Sequence, residues 1–198
     1  MPFSRRTPGF TIIEAVVAIA LTALAASAVL LGTVSSLETT KFSQEQAIAT
    51  GMAQQLMDEI VGTGYVDDSG NPYAVPIQPG TNDVSGVSRR LFTNIGDFNG
   101  YQAMPPVDSW GIPLGTEDGN GSTRNPNFQA PAGPFSRWQQ AVSVSYVSET
   151  NLTTALTASQ TSDYRAVTVQ INYVDPATGN TRQLAQLRRV VAYVPALQ

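Results

Sequence analysis

The 198-residue chain contains no cysteine and no histidine, and Lys41 is its one lysine. Without cysteine there is no disulfide, no zinc–thiolate site and no thiol nucleophile. Without histidine the commonest general base and metal ligand is missing too. Acid–base chemistry is left with carboxylates and a single amine, so the usual base beside a nucleophile cannot be assembled. An enzyme is not expected. Charge is also scarce: acidic and basic residues together are 13% of the chain, 15 acidic against 11 basic, for a net charge of -4. That balance excludes the clustered Lys/Arg face that holds nucleic acid. No basic patch interleaved with aromatics, the footprint of single-strand binding, is present either. The missing disulfides do not by themselves place the chain in a reducing compartment, because a core of this size can form without staples.

What the sequence does have is one long apolar run. From Phe10 to Gly32, 23 residues, Glu14 is the only charge, and Thr11, Thr22 and Ser27 are the only other polar side chains. At 1.5 Å per residue such a helix is about 34 Å long, enough to cross a hydrocarbon core of about 30 Å. Arg5 and Arg6 precede it, and Lys41 is the first basic residue after it. The positive-inside rule therefore leaves the N-terminus in the cytoplasm and the remainder outside. Glu14 is out of place in this run, since a carboxylate at that depth costs about 2.5–3.5 kcal/mol and calls for a partner. No basic residue lies within a helical turn of it. A cut between Gly9 and Phe10 would create an α-amino group one turn before Glu14, positive at neutral pH because its pKa is near ~8.

Gly9-Phe10-Thr11-Ile12-Ile13-Glu14, after Arg5-Arg6 and before a long apolar helix, resembles the class III signal of type IV prepilins and pseudopilins. The resemblance implies that a prepilin peptidase cleaves between Gly9 and Phe10 on the cytoplasmic side and N-methylates Phe10. It implies that Glu14 meets the amino terminus of a neighbouring pilin or pseudopilin subunit, on an inner-membrane assembly platform. It implies a pilin-like α+β fold, a long helix against a C-terminal antiparallel sheet, first in the inner membrane with the C-terminal domain periplasmic and then in a filament. Ile12 stands where leucine is commoner, and the proline that often kinks the outer end of such helices is absent, so a kink would have to use Gly32. The subfamily reading is a minor pseudopilin of a type II secretion-like system. A minor pilin of a type IV pilus remains open, as does a membrane-anchored or secreted binding module without a filament. An ordinary secretory signal could be cut after Ala26-Ser27-Ala28, but Glu14 would interrupt its apolar centre and the mature chain would start with Val29-Leu30-Leu31.

On this reading the chain divides into a leader at 1–9, a membrane or filament-core helix at 10–32, an amphipathic helix at 33–61 and a loop-rich β domain at 62–198. Between Ser35 and Ile60 there is no proline, and Ile48, Met52, Leu56 and Ile60 recur at i+4 beside Ala49, Ala53 and Met57, which predicts a face turned to a core. Gly62-Thr63-Gly64 is a stop signal. From there to about 136 the chain is dense in turn formers, with Arg89 to Tyr101 expected as an ordered loop packing Phe92, Phe98 and Tyr101. Period-two alternation predicts strands at Val142–Tyr146 and Val167–Tyr173, joined to a third at about Arg182–Val194 by a hairpin over Asp175–Asn180. In the third strand Leu184, Leu187, Val190 and Val191 do not keep one parity. Helix first and strands last indicates an α+β domain. Two loops offer hard oxygen ligands beside glycine, Asp97 with Asn99 and Asp118 with Asn120, and are the candidates for calcium, the one cofactor considered; neither has the spacing of an EF-hand loop. The adjacent pairs Asp67-Asp68 and Glu117-Asp118 are expected as solvated loop charges. Once a leader is removed the mature chain has 15 acidic and nine basic residues, since only Arg5 and Arg6 leave.

Overall fold

A computed structural model of the chain describes residues 9, 11–67, 70–78, 88–130, 133, 135–157 and 159–195. Among the described residues one α-helix, α1 (Ile12–Val61), is followed by four strands, β1 (Gln102–Ala103), β2 (Trp138–Tyr146), β3 (Tyr164–Val174) and β4 (Thr181–Ala192). The fold is α+β and pilin-like in order, helix then sheet. The chain divides into two units, Met1–Glu45 and Gln46–Gln198.

Within the second unit the strands form an antiparallel sheet in the order β1-β2-β3-β4. Their alternation has the expected cause. Trp138, Gln140, Val142, Val144 and Tyr146 are buried on β2, and Val167, Val169 and Ile171 on β3, while the residues between them face the opposite, wetter side. These side chains meet Met52, Leu56, Met57 and Ile60 of α1, and Ile95, Phe98 and Tyr101 of the following loop, in one core. Burial on α1 begins at Ala49 and recurs at 52, 53, 56, 57 and 60. Ile48, read from the sequence as the start of that face, is instead exposed: the side chains that reach the sheet lie on the 49–52–56–60 line, one residue round the helix. Gly32 is helical, in the unbroken run of α1.

The mixed parity of the last strand has a specific origin. Ile171 pairs with Ala185 but Asn172 pairs with Gln183, so Leu184 is an extra residue, a β-bulge. Ala185, Leu187 and Val191 then keep one parity opposite the core-facing residues of β3, and Leu184 is buried by the bulge itself. The β3–β4 turn runs over Asp175–Asn180, with Gly179 at φ 70°, where a side chain would be strained. Short β1 carries no periodic signal. It is held to β2 because, just ahead of it, the Gly100 N–H donates to the Val142 carbonyl at 3.1 Å and the Val142 N–H donates to the Tyr101 carbonyl at 2.9 Å.

Buried charges tie the loops to this frame. Arg89, on the segment expected as an ordered loop, gives Nε and Nη2 to Glu59 of α1 at 2.9 and 2.8 Å, and Nη1 to the Tyr101 hydroxyl at 2.6 Å. Burial works against the Arg89 charge, but the bonds to Glu59 and the neighbouring Tyr101 outweigh it and raise the pKa above the ordinary value. Arg165 of β3 is buried over the rings of Tyr65 and Tyr146 and donates to the carbonyls of Tyr65 and Pro72.

Candidate functional site: the N-terminal segment

α1 begins where Thr11 and Glu14 close on each other. The backbone N–H and the hydroxyl of Thr11 both donate to Glu14 Oε2 at 2.9 Å, and the Glu14 N–H donates to Thr11 Oγ1 at 3.3 Å. This is a capping box, Thr-x-x-Glu, in which each side chain satisfies the other residue's free backbone donor. The carboxylate also sits at the positive end of the helix dipole. The missing cation of the sequence reading is thus met, in the uncut chain, by neutral donors one turn upstream. The Thr-x-x-Glu spacing was legible and is the signal that would have found Thr11.

Beyond the cap the helix is apolar all round. Ile12, Ile13, Val16, Val17, Ile19 and Leu21 are exposed, as are the large apolar residues from Leu24 to Leu37. The polar side chains inside this stretch are satisfied by the helix itself: Thr22 Oγ1 donates to the Ala18 and Ile19 carbonyls and Ser27 Oγ to that of Ala23. Such back-bonding is what a hydroxyl needs in hydrocarbon. α1 is long and apolar enough near its N-terminal end to cross a membrane. Gly9 is exposed, with open space around its Cα. Phe10, Arg5 and Arg6 lie outside the described residues.

The calcium candidates divide between two places. Asp97 is buried in a 3-10 turn (Ile95–Phe98), where its carboxylate accepts the N–H groups of Thr93 at 2.9 Å and Asn94 at 3.0 Å. Asn99 is a strut, donating to the Ile77 carbonyl and accepting the Val144 N–H. Asp118 accepts the N–H groups of Asn120 and Ser122, which lower its pKa below the usual carboxylate value, the Asn120 bond most. Asp97 and Asp118 line different cavities. Among the described residues no three acidic side chains converge as a metal cluster. Asp67 is exposed and bonded to Thr93, and Asp68 lies outside the described residues. Glu117 departs from the expected solvated charge: it is half-buried, with Oε2 shielded from solvent. The Arg89–Glu59 pair left no local signal, its partners being 30 positions apart.

Comparisons with curated proteins and with solved structures give no match. Residues 4–30 match the family described as the prokaryotic N-terminal methylation motif. That stretch holds Arg5, Arg6, the Gly9-Phe10 junction, the Thr11–Glu14 cap and most of the apolar run. Residues 4–30 therefore carry the prepilin-type N-terminal signal of type IV pilins and pseudopilins.

Proposed function

We propose that this chain is a minor pseudopilin: a structural subunit held in the inner membrane by α1, cut between Gly9 and Phe10, N-methylated on Phe10 and built through α1 into a type II secretion-like filament. The observation that carries the reading is Glu14, a lone carboxylate in the matched segment, held by Thr11 rather than by a cation. In the membrane the cap shelters the charge. Cleavage frees an α-amino group with a pKa near ~8, and docking brings such an amine from a neighbouring subunit to the carboxylate. A buried pair of this kind fixes axial register more than it adds stability. Arg5 and Arg6 hold the leader on the cytoplasmic side, so the domain after α1 is periplasmic. The exposed apolar residues of α1 exchange lipid for neighbouring helices as the subunit leaves the bilayer.

The test has two parts. Mass spectrometry of the mature terminus is expected to show N-methylated Phe10; a terminus at Val29, or an intact leader, overturns the reading. Glu14→Gln is expected to be cleaved normally yet to enter filaments about tenfold less or worse, the effect of losing roughly 1.4 kcal/mol of charge pairing. Normal incorporation of that variant removes the charge-pair mechanism. Dependence of assembly on a secretion machine, rather than on a retractable pilus, separates the pseudopilin from the type IV pilin.

A further inference from the structure

We infer that the edge of β2 at Val144–Tyr146 receives an extended, uncharged segment of a partner polypeptide, which adds to the sheet there as a short parallel strand. Along an antiparallel strand the backbone groups point to alternate edges, so residues two apart share a side. Val142 shows which side the even positions take, since its N–H and C=O bond Tyr101 and Gly100, away from β3. Val144 and Tyr146 therefore point the same way. The Val144 N–H donates to Asn99 Oδ1 at 2.9 Å, and the Tyr146 carbonyl accepts the Leu156 N–H at 2.9 Å. Between these two engaged positions, the Val144 carbonyl and the Tyr146 N–H have no partner among the described residues.

Both residues are nearly sealed from solvent, Val144 at 5% and Tyr146 at 6% exposed. Buried main-chain donors and acceptors almost always find a partner in a native protein. A cavity of about 250 Å³ lies against this stretch, and its lining holds Val144, Ser145 and Tyr146 together with Asn99 and Leu156, the residues that bond the two ends of the gap. The free carbonyl and N–H thus face into it. One water takes up about 30 Å³, so a single bridging water does not fill this space.

The chemistry of the gap specifies the occupant. One acceptor and one donor, two residues apart on a strand edge, are what a single residue of a parallel strand needs. Lying opposite Ser145, that residue gives its N–H to Val144 and takes the N–H of Tyr146, the main-chain pairing of strand addition. Val75, Pro76, Ile77 and Leu156 supply an apolar wall, and none of the described residues lining the cavity is charged. The partner segment is therefore extended and apolar, since an ion brought against this wall would lose its water with nothing to pair it. At about 250 Å³ the cavity is smaller than the sites of drug-sized ligands, about 300–1,000 Å³, and suits a residue or two of main chain. The slot lies within the second unit and is independent of the filament reading.

The experiment uses the full chain in detergent, isotope-labelled for amide NMR, with the capped tripeptide acetyl-Val-Ala-Val-amide as probe. In the free chain the Tyr146 N–H is expected to exchange with solvent about tenfold faster or more than the Val147 N–H, which is bonded to Tyr164 at 3.0 Å. At about 10 mM the tripeptide is expected to slow that exchange and to shift the Tyr146 amide resonance downfield. The same peptide N-methylated on its alanine cannot donate to Val144, and is expected to bind about tenfold more weakly, the effect of leaving one buried acceptor unmet. Acetyl-Glu-Ala-Glu-amide is expected to give no shift. Thr157 is an exposed residue of the cavity lining, and Thr157→Trp is expected to block the tripeptide while leaving the melting midpoint within about 2 °C of the parent. The inference is overturned by a Tyr146 amide already protected in the free chain, or by no response at about 10 mM peptide. Equal binding of the N-methylated form, the mark of apolar adhesion without strand pairing, overturns it too, as does unchanged binding to Thr157→Trp.

Discussion

Thr11 and Glu14 form a local pair, three residues apart, and need nothing from the rest of the molecule to meet. Tyr65 is the opposite case, defined entirely by what packs on it. Its hydroxyl is buried without a hydrogen-bond partner among the described residues, and burial pushes its pKa up to about 12, against the pull of the Arg165 charge beneath the ring. The unfolded tyrosine ionises near ~10. A raised pKa means the fold favours the neutral phenol, so this contribution is intact below pH ~10 and lost as pH rises toward ~12. Tyr65→Phe removes both the ionisable group and the orphaned hydroxyl. Thermal melts should show a midpoint at pH 7 that is unchanged or higher, and a shallower loss of stability across the alkaline range. Part of the slope persists, because burial raises Tyr101 and the hydrogen bond to Asp163 raises Tyr73. An unaltered alkaline profile would mean that Tyr65 is not held neutral by the fold.

Elements were legible in proportion to how regular their burial is. The strands at Val142–Tyr146 and Val167–Tyr173 alternate cleanly because β2 and β3 are straight neighbours with one face on the core. β4 was blurred by Leu184, whose bulge depends on the pairing with β3 and so has no one-dimensional signature. Two-residue β1 is too short for any period. On α1, apolar spacing gave the right helix but included Ile48, since periodicity fixes a face only to within a residue or so. That boundary is open to measurement. Leu56→Ala, at a fully buried position, is expected to cost about 2–5 kcal/mol in chemical unfolding. Ile48→Ala, exposed in the single chain, should stay within about 0.5 kcal/mol. Equal losses would place Ile48 in the core after all.

For the whole molecule, the apolar core lies within 49–184, inside the second unit, while the large exposed apolar residues of α1 fall mainly in the first. A fragment beginning at Gln46 is therefore expected to be soluble without detergent and to melt in one cooperative transition. Size-exclusion chromatography with circular dichroism would check this, and aggregation or a gradual melt would show that the unit does not stand alone. The sequence by itself determined the prepilin-type signal, the membrane-length apolar helix and the α+β order. Each is written in neighbouring residues, by composition, spacing or period. Only the tertiary structure decided that Arg89 neutralises Glu59, that Arg165 is buried against tyrosine rings, and that one carboxylate oxygen each of Asp108 and Glu117 is shielded from solvent. Those partners are far apart along the chain, and a charge's energy depends on what surrounds it after folding, which no local pattern encodes.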